Sequence, residues 1–205
     1  MNPIHKILKT STPLTLYPVT SPSSIPPSLL RFLHREFNAE VERGCTYPMD
    51  EKMSLDEFAA YWFGKFGVVA IAGPEDGLKA LDRLGDDRDW ETDCLGTFYV
   101  KPNYPGRCSH ICNAGFLTTP AARGKGVALA MGEAYLEYAP KLGYKYSVFN
   151  LVFANNVPSI RTWEKLGFSV IGRIPGAGRL ANSDELVDAL VFGKSFSDST
   201  ATPAA

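Results

Sequence analysis

Along this chain the apolar positions change period several times, and each change marks a new element. In "PPSLLRFLHREFNAEVERG", Leu29, Leu30, Leu33 and Phe37 recur at helical spacing. Pro27 suits the opening turn and Gly44 the stop. "SLDEFAAYWFGKF" predicts a second helix, with Ser54 as N-cap and Glu57 three residues later completing a capping box. The period then shortens. "VVAIAG", "LGTFYVKP" and "HICNAGFLTT" are short runs of strand character. "PEDGLKALDRLGDDRDWETD" is polar and predicts a surface excursion, and "NYPGR" predicts a turn. "ARGKGVALAMGEAYLEYAPKLG" predicts a helix behind a glycine-rich turn, ending at Pro140 and Gly143. "YKYSVFNLVFA" predicts a long strand, and "SIRTWEKLG" a helix closed by Gly167. "FSVIGRIP" and "ELVDALVFGKSF" predict a last strand pair.

Residues 1–25 are rich in Ser, Thr and Pro and predict an N-terminal extension with one strand at "LTLYPV". Residues 26–196 predict one domain, and 197–205 a disordered tail of small residues. The order of elements predicts an α/β (α+β) domain, a central twisted mixed sheet with helices on its faces.

Composition narrows the function. The 205 residues are 45% hydrophobic and 12% aromatic, which is globular. The formal net charge is −1 with acidic and basic residues interspersed, so no basic stripe invites nucleic acid or an anionic membrane. No apolar run is long enough to span a bilayer, and "MNPIHKILKTSTPL" lacks a signal-peptide core. The expected compartment is the cytoplasm, where Cys45, Cys94, Cys108 and Cys112 stay reduced. "CSHIC" sets Cys108, His110 and Cys112 at alternate positions, but no second Cys/His cluster completes a metal site. Buried thiols and no metal are expected.

The glycine-rich turn carries candidate chemistry. Arg123, Gly124, Lys125 and Gly126 stand between a strand and a helix. A helix start offers unpaired N–H groups and partial positive charge, and glycines let a ligand approach the backbone. Together they suit a phosphate or pyrophosphate. A P-loop is excluded, because Val127 and Ala128 follow where Lys-Ser/Thr is required. A dinucleotide fingerprint is excluded by Leu129. The plain alternative is a tight strand-to-helix turn.

Here the chain resembles the GNAT superfamily of N-acetyltransferases. Their coenzyme loop, Gln/Arg-x-x-Gly-x-Gly/Ala, is matched by Arg123 to Ala128. Their later Asn-x-x-Ala/Ser-x-x-x-Tyr-x-Lys-x-Gly-Phe is matched by Asn156, Ser159, Trp163, Lys165, Gly167 and Phe168, with Trp163 in place of Tyr. The resemblance covers roughly residues 60–196. "LGTFYVKPNYPGRCSHICNAGFL", "YAPKLGYKYSVFNLVF", "ERGCTYP" and "YWF" are similar to a fungal group that acetylates L-azetidine-2-carboxylate, a proline analogue. That group's reported acceptors include cis-4-hydroxyproline and pyrroline-5-carboxylate or its open aldehyde, and its activity is tied to tolerance of oxidative stress.

The resemblance implies a GNAT fold with a splay between the "CNAGFLTT" and "YSVFNLVFA" strands, holding acetyl-CoA. The pyrophosphate would sit on the N–H groups of Arg123, Gly124, Lys125, Gly126, Val127 and Ala128. Backbone groups of Phe116 and Thr118 would pair with the pantetheine arm, and Asn156 and Ser159 would face the slot. Asn113 and Asn150 are the implied catalytic positions: Asn113 accepts from the substrate amine, and the backbone at Asn150 meets the oxyanion. A bulge or an internal hydrogen bond is the alternative for each. Trp163 walls the coenzyme pocket or packs in the core, and its indole cannot replace the family's Tyr as general acid. Tyr47 and Trp62 enclose a small acceptor ring or are core aromatics. Arg107 meets a substrate carboxylate or is a surface residue, and His110 is discounted on its spacing. The implied partners are a small amino or imino acid and, in keeping with the family, a second copy of the chain.

Overall fold

The computed structural model describes residues 1–73, 85 and 88–196. Its centre is an eight-stranded sheet in the order β1-β2-β3-β4-β5-β6-β8-β7. The strands are β1 (Ile4–Ile7), β2 (Pro13–Val19), β3 (Phe66–Ala72), β4 (Cys94–Pro102), β5 (Ile111–Thr118), β6 (Tyr146–Phe153), β7 (Ser169–Gly178) and β8 (Val187–Ser195). Neighbours are antiparallel except β5 and β6, which run parallel. The helices are α1 (Pro27–Arg43), α2 (Leu55–Phe63), α3 (Trp90–Asp93), α4 (Val127–Lys141) and α5 (Val157–Lys165).

Strand alternation divides the core into two layers. In β3, Val68 and Ala70 face one way, toward Met131, Tyr135 and Tyr138 of α4 and Trp163 of α5. Val69 and Ile71 face the other way, toward Leu33 and Phe37 of α1 and Phe58 and Trp62 of α2. Both faces of the strand are therefore buried, which is why its sequence is continuously apolar rather than alternating.

The local signals act as expected at α1 and α2. Pro27 sits in the first turn of α1, and Gly44 ends it in the left-handed region at φ 65°, its N–H turned to the Glu40 and Val41 carbonyls. At α2 the Ser54 hydroxyl accepts from the Glu57 N–H, and the Glu57 carboxylate accepts from the Ser54 N–H. Pro140 falls inside the last turn of α4 rather than beyond it.

Three expectations change. The first 25 residues supply two strands, and β1 at "IHKI" is an edge strand whose short, half-buried run gave no apolar period. Trp90, expected in a surface excursion, is 5% exposed and packs in the layer under α1. The rest of that excursion, 74–84 and 86–87, and the tail 197–205 lie outside the described residues. Cys94 and Cys112 are buried, whereas Cys108 is exposed on a short 3-10 turn that precedes β5, as is Arg107. No helix among the described residues is long and apolar enough to cross a membrane.

Candidate active site

The parallel pair β5–β6 is held by two rungs only, Ile111 opposite Tyr146 and Cys112 opposite Ser147. A buried polar chain sits at this joint. Cys112 Sγ lies 3.0 Å from the Tyr135 hydroxyl, which lies 2.6 Å from Ser147 Oγ. Burial pushes the Cys112 thiol up to about 11. Past the joint the strands part, and the Asn113 side chain bridges the opening by donating to the Val148 carbonyl at 3.0 Å.

The splay leaves backbone groups of β5 unpaired by a strand. Ile111 O accepts from the Asn103 N–H, and the Thr119 N–H donates to Leu95 O. Odd-numbered residues of β5 thus turn their backbone groups to β4, and even-numbered ones, including Phe116 and Thr118, turn theirs to the splay. The Tyr47 hydroxyl already donates to Phe116 O at 2.8 Å. Burial raises the Tyr47 pKa, so this hydroxyl stays protonated.

On β6, Phe149 pairs with Phe192 but Val152 pairs with Leu190. Three steps against two make a bulge at Asn150–Leu151, which re-aims the backbone beside the splay. The Asn150 side chain is occupied. Its amide exchanges two hydrogen bonds with Asn103, at 3.0 and 2.6 Å. Asn103 stands in the turn after β4, where the sequence showed only a turn former.

The face of β5 under α1 and α2 forms the other half of the site. Gly115 is opposite Tyr99, and a Cβ on Gly115 would fall 2.5 Å from the Tyr99 ring. That position needs glycine because the tyrosine lies across it. The Tyr99 and Tyr61 hydroxyls pair at 3.1 Å. Burial, with Tyr61 beside it, holds the Tyr99 hydroxyl far above its usual pKa. Trp62 is not on this surface. It is 1% exposed, its indole donates to Thr97 Oγ1 at 3.0 Å, and it backs the Tyr99 ring edge-on. Lys101, opposite Asn113, was not singled out from the sequence, because only the β4–β5 register brings it there.

At the far end of β5 the glycine-rich turn leads into α4. Gly124 and Gly126 take φ 74° and 86°, and a Cβ at either would meet no described atom within 4 Å. The glycines serve backbone conformation and leave the approach open. The N–H groups of Val127, Ala128 and Leu129 precede the first helical bond, from the Ala130 N–H to Gly126 O. The Arg123 and Lys125 N–H groups bond inward to Pro120 O and Ala122 O. The Arg123 guanidinium is tied to Glu40 of α1, so it binds helix to turn rather than standing free.

Trp163 is a core residue. Its ring packs 4.8 Å from Phe116 and 4.6 Å from Phe149 between centroids, filling the wedge between β5 and β6. Asn156 caps α5, its Oδ1 accepting from the Ser159 N–H at 3.3 Å. His110 is exposed ahead of β5, and among the described residues no group of His, Cys, Asp or Glu is arranged to hold a metal ion.

A splay whose β5 backbone is unpaired by a strand, with an anion-receptive helix start at one end and polar amides at the other, suits an extended ligand with a phosphate end and a reactive end. Residues 34–168 match the profile of the Acetyltransferase (GNAT) family, and the chain belongs to that family. It is therefore an acetyltransferase by fold and by sequence. It is similar to N-acetyltransferase aca1 of Schizosaccharomyces pombe, 47% identical over 164 residues, 80% of this chain and 78% of that one. Protein SPT10 of Saccharomyces cerevisiae is 35% identical over 91% of this chain, which matches 34% of that longer protein. A GCN5-related N-acetyltransferase from Kribbella flavida superposes with a TM-score of 0.68 at 25% identity, covering 88% of this chain and 97% of the other. A phosphinothricin acetyltransferase from Sinorhizobium meliloti, solved in complex with AcCoA, shares the fold at 18% identity and a TM-score of 0.68, over 94% of this chain and 93% of its own.

Proposed function

We propose that the enzyme transfers an acetyl group from acetyl-CoA to the ring nitrogen of small proline-like imino acids. L-azetidine-2-carboxylate and cis-4-hydroxyproline are the acceptors in view, with pyrroline-5-carboxylate reached through its open form, whose free amine carries the N–H that the ring imine lacks. The observation that carries the reading is Asn113. It stands where the splay opens, its Nδ2 held by Val148 O, and among the described residues no hydrogen bond is made to its Oδ1. The similarity to an N-acetyltransferase at 47% identity supports nitrogen as the acceptor atom.

The residues fit the coenzyme. Val127 to Leu129 offer N–H groups to its phosphates, and the splay-facing backbone of Phe116 and Thr118 offers strand-like partners to its arm. Acetyl-CoA would supply a thioester: its carbonyl carbon bonds to the acceptor nitrogen, its C–S bond breaks, and the proton lost from the nitrogen balances the departing thiolate, so that amide and free thiol are the products. In this reading Asn113 Oδ1 accepts an N–H from the amine and orients its lone pair. Backbone N–H groups at the Asn150–Leu151 bulge stabilise charge on the carbonyl oxygen. The Asn150 side chain acts through Asn103, holding the bulge in place rather than touching the acceptor. Tyr99, on the same face of the β4–β5 pair as Asn113, and its partner Tyr61 favour a neutral amine by desolvation. We place this activity in proline-analogue detoxification, resistance to oxidative stress and the cytoplasm. The exposed Val170, Ile171 and Ile174 on edge strand β7 support a homodimer.

The test is incubation with acetyl-CoA and a panel of amines while free thiol is followed. Release with azetidine-2-carboxylate or cis-4-hydroxyproline, and not with polyamines, is expected. Coenzyme binding with no turnover of any amine would sink the reading.

A further inference from the structure

The acceptor face holds a cation that the described residues leave without a counter-ion. Lys101 lies on β4 directly opposite Asn113. Cross-strand partners project to the same face, with Cβ atoms about 5 Å apart. The Lys101 ammonium sits between two rings, 3.7 Å from the Tyr61 centroid and 4.3 Å from the Tyr99 centroid. Those rings are fixed by their paired hydroxyls, and Tyr99 by the room Gly115 leaves. Desolvation lowers the lysine's pKa, a cost to its charge that the two rings offset in part and that an arriving anion would offset further. Among the described residues, no carboxylate lies within 4.0 Å of it, whereas Lys6, Lys52, Arg43 and Arg173 all have one.

Resting on the acceptor reading above, we propose that Lys101 binds the carboxylate of the acceptor and so restricts the enzyme to α-amino and α-imino acids. In such acids the nitrogen and the carboxyl carbon are attached to the same carbon, so their two partners must stand close together, and Asn113 and Lys101 are cross-strand neighbours. The acceptor nitrogen meets Asn113 Oδ1 and the carboxylate meets Lys101 Nζ. A cation there also opposes a second positive charge, which disfavours the protonated amine and excludes polyamines. Exposed Arg107 on its turn is not needed for this role. The phosphates of the coenzyme are not competitors, because the helix start that suits them lies at the other end of β5, roughly 17 Å along the strand from Asn113.

The experiment compares L-azetidine-2-carboxylate with its carboxamide, and cis-4-hydroxy-L-proline with its amide, in wild type, Lys101→Met and Lys101→Arg. Acetyl-CoA dissociation constants and melting curves are taken for each. Wild type is expected to prefer each acid over its amide. In Lys101→Met the KM for the acid should rise about tenfold to hundredfold, the scale of one charge-assisted hydrogen bond, with a far smaller change for the amide. Lys101→Arg should restore part of the preference while coenzyme affinity stays constant in both variants. An undiminished acid preference in Lys101→Met would overturn the proposal. So would wild-type use of a carboxylate-free amine such as spermidine ahead of every acid, which would also end the acceptor reading. Turnover confined to some other α-amino acid, with the same loss of preference in Lys101→Met, would sustain Lys101 and reject only the proline-like ring.

Discussion

Asn103 and Asn150 hold one another by two reciprocal amide hydrogen bonds, tying the turn after β4 to the bulge on β6. The two side chains tie the β4–β5 pair to β6 by bonds that are not part of the backbone ladder. Removing one side chain orphans the other, so Asn103→Ala and Asn150→Ala should each cost about 1–3 kcal/mol of stability. The double variant should cost clearly less than their sum. Urea unfolding of all four proteins checks this, and strict additivity would show that the two amides act independently. With the coenzyme dissociation constant unchanged, kcat should fall alike in the three variants.

Tyr47 occupies the Phe116 carbonyl that the proposed pantetheine arm would use. Binding the arm there has to displace the tyrosine or share the oxygen's second lone pair with it. Tyr47→Phe should therefore tighten acetyl-CoA binding, by roughly fivefold to tenfold for a hydrogen bond of about 1 kcal/mol. Titration calorimetry measures it. Weaker binding would mean that the arm runs elsewhere or that Tyr47 contacts it directly.

Gly126 and Gly143 lie at opposite ends of α4, both at positive φ (86° and 93°) and both open to space. A side chain at either should cost about 1–2 kcal/mol from backbone strain. Only at Gly126 should it also affect the coenzyme. Gly126→Glu is expected to abolish measurable acetyl-CoA binding, by bulk and by charge against the phosphates, and Gly143→Glu to leave it intact. Equal affinities in the two variants would remove the phosphates from the start of α4.

Two carboxylates contribute to the acid limb of stability. Glu57 is held below its ordinary value of 4.5 by the Ser54 N–H and then the Ser54 hydroxyl. Asp188 is held below 3.8 by the Gly176 N–H and then Arg173. A folded-state pKa below the unfolded one gives stabilisation that is complete above the unfolded value and lost as pH falls through the folded one. Urea midpoints should thus be flat near neutral pH and drop below about 4.5. Glu57→Gln and Asp188→Asn should each flatten that drop while lowering the neutral-pH plateau.

What the sequence could show depended on whether the cause was local. The Ser54–Glu57 box, the stop at Gly44 and the glycine-rich turn before α4 are set by near neighbours, and each is legible. Asn113, Phe116 and Thr118 are expected on the splay only through the family resemblance. The ties that shape the site join distant positions. Arg123 to Glu40 crosses 83 residues, Tyr47 to Phe116 69, and Asn103 to Asn150 47. Lys101 came into view only when the register set it opposite Asn113. Trp62 and Trp163 show the converse limit, since an aromatic beside a pocket motif carries no mark of which side of the wall it faces.

The joint at Cys112 and Ser147 makes the sheet a pair of arms on a common pivot. Six residues of extended chain separate Cys112 from Thr118, about 20 Å at 3.3 Å per residue. A rotation of about 5° at the two rungs would swing the far tip by about 2 Å, more than half the length of a hydrogen bond. The tight polar chain through Tyr135 braces that pivot, while the Asn113 bridge and the Trp163 ring wedged between Phe116 and Phe149 limit how far the arms can swing.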